Sequence, residues 1–145
     1  MTPEERFRQQ TENKKTIVSR VKKLFPEIKL IVIYDPIEGK AIADSVTSTE
    51  YAFILDALRN QQLPIIRTYG NETMIGKTRL LILHGVLKPE EMVYYWPPKD
   101  QIILINKYAA LDSWPNGFCD YETSTCEKIL MFAVNKRKEE RKVGR

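Results

Sequence analysis

The stretch LPIIRTYGNETMIGKTRLLILHGVLKPEEMVYYW, residues 63–96, decides the fold. It opens on a short aliphatic run, Leu63 to Thr68, which reads as a strand. Lys77 to Gly85 follows as a helix, because Gly85 is the residue type that stops one. Met92 to Trp96 is strand-like again. Pro97-Pro98-Lys99-Asp100 then separates it from Gln101 to Asn106, and that separation suits a hairpin.

Upstream, IKLIVIYDP carries the continuous run Leu30 to Ile33. Such a run suits a strand buried on both faces, as in parallel α/β sheets. Asp35-Pro36 and Gly39 make the turn out of it. Between the two strands, Ser48 to Gln61 reads as a helix. Ser and Thr ahead of Glu50 resemble a helix start, with Ala52, Phe53, Leu55, Ala57 and Leu58 on the buried face. Residues 3–12 are polar and helix-permissive. Thr16 to Phe25 places Ile17, Val18, Val21, Leu24 and Phe25 on one amphipathic stripe that Pro26 ends. Thr123 to Lys138 reads as the last helix. The expectation is one α/β domain over 1–145. Its partly parallel central sheet is flanked by helices and carries an antiparallel hairpin annex. Residues 1–26 form an N-terminal helical segment and 136–145 a basic tail.

Length and composition bound the function. The chain has 145 residues, 43% of them hydrophobic, enough for one globular core. No apolar run reaches the roughly 20 residues of a membrane span, and the N-terminus is polar, so the reading is a cytoplasmic protein with no membrane partner. Two cysteines, Cys119 and Cys126, fit a reduced compartment and are too few for a zinc site, so no metal is expected. The net charge is +4 and gathers at the chain ends. Lys136, Arg137, Lys138, Arg141 and Lys142 are the candidate contacts to nucleic-acid phosphates. The competing reading is a solvated helix end, interrupted by Glu139 and Glu140.

GNETMIGKT invites comparison with a phosphate-binding loop. That motif needs four residues between its first glycine and Gly-Lys-Thr. Here five separate Gly70 from Gly76, and the required position falls on Asn71. Asparagine visits left-handed conformations, so Asn71, Gly76, Lys77 and Thr78 are the candidate nucleotide-binding residues, with ATP and magnesium as the ligands they would hold. The competing reading is a helix N-terminus that contains Gly-Lys-Thr. His84, the only histidine, reads as a helix C-terminal cap.

LKPEEMVYYW and DSWPNGFCD, with LIVIYDP and IIRTYGNET upstream, carry a family likeness. From about Ile28 to Lys128 the order resembles the C-terminal lobe of RecF/SMC-like ABC ATPases of bacterial DNA repair and phage defence, the overcoming-lysogenisation-defect-like group included. In that family the first strand ends in two acids that hold magnesium and polarise water, and the next ends in a switch histidine. Tyr34 and Asp35 stand at the acid positions here and Tyr69 at the histidine. A phenol cannot play the imidazole's part near neutral pH. Glu12, Asn13, Lys14 and Lys15 occupy the place where the family's signature segment would end.

The resemblance therefore implies a pseudo-ATPase lobe with no catalytic residues and no required cofactor. It would serve as an accessory subunit whose protein partner is an ATPase or a nuclease. Tyr94, Tyr95, Trp96 and Trp114 are the candidate interface anchors, since tyrosine and tryptophan dominate hot spots. The alternative is that they cap the hairpin onto the core. Three rival functions stay open: ATP binding through 71–78, nucleic-acid binding through the basic ends, and a small metal-dependent nuclease using Asp35, Glu38 and Asp44.

Overall fold

The computed structural model describes residues 2–36, 46–113 and 134–140. Their architecture is α/β, with one mixed four-stranded sheet and helices on both of its faces.

Helix α1 runs unbroken over Pro3–Leu24, joining the two segments that the sequence pattern separates. Its start is a capping box. Thr2 Oγ1 accepts from the Glu5 amide at 3.1 Å, and Glu5 Oε2 accepts from the Thr2 amide at 3.3 Å. Nothing breaks the helix at Thr11 or Thr16, because their hydroxyls bond back to the Phe7 and Glu12 carbonyls at 2.9 and 3.0 Å. Glu4 and Glu5 in the first turn and Lys22 and Lys23 in the last complement the helix dipole.

Strand β1, Leu30–Tyr34, is buried along its whole length. It pairs in parallel with β2, Ile65–Tyr69, and on its other side with β3, Met92–Trp96. Strand β4, Gln101–Leu104, closes the expected hairpin antiparallel to β3, giving the order β2-β1-β3-β4. Side chains alternate across the sheet. Leu30, Val32, Tyr34, Met92, Tyr94 and Trp96 pack in one core with helices α2, Thr47–Asn60, and α3, Glu72–Leu83. Ile31, Ile33, Val93 and Tyr95 pack in the other, under Ile17, Val18 and Val21 of α1.

Both crossover helices thus lie on one face while the strand order reverses at β1. The two crossovers must have opposite hands, so one of them departs from the strong right-handed preference. The opposite face, where one of the two helices would lie if both crossovers were right-handed, is held by α1.

Three expectations are corrected by this packing. Helix α3 starts at Glu72 rather than Lys77, so Gly76 is inside it. Its buried residues Met74, Ile75, Thr78, Leu81 and Ile82 follow the i, i+1, i+4, i+7, i+8 stripe of an amphipathic helix. The buried face of α2 is Thr47, Glu50, Ile54 and Ala57, with Leu55 and Leu58 packed beside it, so of the expected face Ala57, Leu55 and Leu58 hold while Ala52 and Phe53 are exposed. Its N-cap is Val46, which has no side-chain acceptor to offer, and Glu50 is turned inward to Arg67 rather than serving the helix start. Phe53 remains 41% exposed and carries the Arg67 guanidinium over its ring at 4.7 Å.

The expected stop of α3 holds. Gly85 has φ +72, and the Val86 amide bonds the Leu81 carbonyl at 2.9 Å. Residues 134–140 are helical and attach to the turn after β4, with Lys136 Nζ on the Lys107 carbonyl at 2.7 Å and Arg137 over the Tyr108 ring at 4.6 Å. The earlier part of the expected last helix, both cysteines and the Trp-Pro corner lie outside the described residues.

Candidate functional site

The carboxyl ends of β1, β2 and β3 come together at one rim of the sheet, the place where open α/β sheets carry their sites. Tyr34 and Tyr69 are register partners there. Both rings point into the core shared with α2 and α3. Tyr34 is 5% exposed and stacks on Trp96, with centroids 5.4 Å apart and planes 18° off parallel. Tyr69 is fully buried, and its hydroxyl donates to Glu50 Oε1 at 2.7 Å. The same carboxylate pairs with Arg67, whose Nε also donates to the Tyr69 oxygen at 3.3 Å. Burial foremost, and then the bond to Glu50, hold the Tyr69 phenol well above its usual range, so it stays neutral. Asp35 follows directly. Its amide donates to the Tyr69 carbonyl at 2.9 Å and its side chain lines a cleft on the α1 side.

That cleft, of about 720 Å³, lies between α1 and the strand ends. One wall is helical and mostly polar, with Gln10, Asn13, Lys14 and Arg20. The other includes Asp35, Thr68 and Tyr95. Asp100, in the turn between β3 and β4, ties the two walls together. Its Oδ1 accepts from Arg20 at 2.6 Å and from the Tyr95 hydroxyl. Asp100 sits in the left-handed region, φ 46 and ψ 46, a conformation that aspartate tolerates. Burial, and then the Asp100 carboxylate, push the Tyr95 phenol up to about 12. In return the Tyr95 hydroxyl, and then Arg20, hold Asp100 below the usual carboxylate range.

The sequence missed this Arg20–Asp100–Tyr95 cluster. Eighty positions separate Arg20 from Asp100, so no local pattern joins them. The one available signal is an aspartate after Pro-Pro-Lys, a turn position where a left-handed residue is expected.

The proposed phosphate loop is not brought together as a loop. Asn71 is the N-cap of α3 with extended backbone, φ −120 and ψ 147, rather than the left-handed conformation a nest would use. Gly76, Lys77 and Thr78 fall in the helix beyond its first turn. Thr78 is fully buried; its hydroxyl bonds the Ile75 carbonyl at 2.6 Å and lies 2.7 Å from the Tyr94 hydroxyl. Lys77 Nζ donates to Ser48 Oγ at 3.2 Å. His84 is the C-cap of α3.

The aromatic anchors are also corrected. Tyr94, Tyr95 and Trp96 are buried rather than exposed, because β3 lies inside the sheet between β1 and β4 and has both faces covered. Trp114, Glu38, Asp44, Arg141 and Lys142 lie outside the described residues. Of the basic tail, Lys136 and Arg137 make the intramolecular contacts given above, and Lys138 is exposed.

Among the described residues, no group of three or more His, Cys, Asp or Glu side chains is arranged to hold a metal ion, and no helix is long and apolar enough to cross a membrane. Comparison of the chain with protein-family models, curated proteins and solved structures finds no match.

Proposed function

We propose that this chain is a non-catalytic ATPase-like lobe, an accessory subunit that works by binding an ATPase or a nuclease in a defence or repair assembly. One observation carries the reading. Two of the three positions at which the resemblance would demand reacting groups are occupied by packed tyrosines, Tyr34 stacked on Trp96 and Tyr69 bonded to Glu50, and only the third, Asp35, keeps an acid. Phosphoryl transfer needs groups that hold metal and orient water. A neutral buried phenol and a stacked ring do neither, and both hold the core together.

Support for a binding role comes from α1. Its 22 residues span about 33 Å, roughly twice the length of a five-residue strand. Only its C-terminal half is buried on the sheet, while the N-terminal half stays exposed and carries Phe7 at 72% exposure. With the aromatic trio committed to the core, this exposed arm is the surface we assign to a partner.

The test is purification of the tagged chain from its own cells, followed by mass spectrometry and sizing of the complex. A stoichiometric complex with an ATPase or nuclease, weakened by Phe7→Glu, is expected. A chain that elutes alone, or whose partner is neither, overturns the proposal.

A further inference from the structure

Helix α1 presents one stripe to the sheet. At Ile17, Val18 and Val21 that stripe is aliphatic and packs on Ile31 and Ile33. Above Ile17, at helical spacings of four and seven, the same side of the helix carries Asn13 and Gln10, and both line the cleft. The stripe thus changes from packed hydrocarbon to exposed amide where the cleft begins. Carboxamides carry donors and acceptors together, which hydrocarbon packing does not use.

Across the cleft, Thr68 Oγ1 is buried and bonded by no described residue. Buried hydroxyls without a partner are rare in folded proteins. Arg20 and Asp100 neutralise each other; among the described residues the other charged side chains lining the cleft are Lys14, which is exposed, and Asp35. The volume falls within the range of small-molecule sites, roughly 300–1,000 Å³. Its place at the carboxyl ends of parallel strands is where such sites occur.

We propose that this cleft binds a nucleoside monophosphate. A base edge offers neighbouring donor and acceptor atoms, which asparagine and glutamine read in pairs. Asn13 and Gln10 take that edge, and the ring lies over Ile17 and Ile33. Thr68 Oγ1 bonds the base or the sugar, and Lys14 draws the phosphate. The site is separate from the 71–78 segment on the opposite face of the sheet. Neither Tyr34 nor Tyr69 takes part, so it stands or falls apart from the partner reading.

The experiment is a titration of the ¹⁵N-labelled full chain with AMP, GMP, CMP and UMP, with adenosine and a disaccharide as comparison probes. Expected are saturable shifts at residues 10–17, 33–35 and 68 for at least one nucleotide, and weaker binding of its nucleoside. Asn13→Ala is expected to reduce affinity roughly tenfold, the loss of one or two hydrogen bonds. Alanine favours the helix at that exposed position, so the variant stays folded. Thr68→Val should weaken binding while leaving thermal stability unchanged or higher, since the hydroxyl has no bond to lose among the described residues. Lys14→Ala should remove the preference for AMP over adenosine. No saturable shift with any nucleotide at millimolar concentration, binding indifferent to both Asn13→Ala and Thr68→Val, or equal binding of the disaccharide overturns the assignment.

Discussion

Replacing Tyr69 by phenylalanine removes one oxygen from the centre of the Glu50–Arg67–Tyr69 network and leaves the ring in place. In the wild type, Glu50 accepts from the Tyr69 hydroxyl at 2.7 Å and from Arg67. A hydrogen bond to a charged acceptor contributes about 1.5–3 kcal/mol. Glu50 keeps Arg67 in the variant, so the loss belongs near the lower end, about 2 kcal/mol. For a chain of 145 residues that corresponds to a fall in melting temperature of roughly 6 °C. Tyr69→His should fall further, by about 3 kcal/mol or more, because it also removes ring volume from a fully buried position. Thermal and urea unfolding of the purified variants provide the check. A Tyr69→Phe melting point within about 1 °C of wild type, or a Tyr69→His protein as stable as wild type, would refute the claim that this residue is retained for packing.

Two further outcomes follow from local geometry. Gly85→Ala is expected to destabilise by about 1 kcal/mol although nothing lies within 4 Å of the added methyl, because φ +72 disfavours any residue with a Cβ; Gly85→Asn should lose less, and equal stability of all three in urea unfolding would count against it. Glu91 accepts from Lys29 Nζ at 2.5 Å and from the Lys88 amide at 2.7 Å. Burial raises its pKa, but Lys29 and the Lys88 amide outweigh that and hold it below the ordinary 4.5. Its stabilisation is therefore fully present above that ordinary value and lost as pH falls through the depressed folded one. Unfolding free energies measured from neutral pH down to about pH 3 should drop more steeply for wild type than for Glu91→Gln, and parallel curves would contradict this.

The sheet was legible wherever a strand is buried on both faces. The run at Leu30 to Ile33 announced β1, and β3 was bounded at Met92 and Trp96 as observed. The aromatic trio was harder. Tyr94, Tyr95 and Trp96 look like surface anchors by residue type, yet an internal strand buries every side chain whichever way it points. Gly76 disguised the first turn of α3, although Met74, Ile75, Thr78, Leu81 and Ile82 already held the helical stripe. On α2, Glu50 was read as a start signal when its partner was Arg67, seventeen positions on and in another element. Local pattern reports which face is apolar. It cannot report which distant charge will neutralise a buried one, and the cleft, closed by Arg20 and Asp100, depends on such a pairing.

Steady-state ATP hydrolysis by the purified chain, with magnesium present and no partner added, tests the central claim most directly. The account predicts phosphate release at the level of the buffer blank, for wild type and Asp35→Asn alike. Turnover by the wild type that Asp35→Asn abolishes would contradict it.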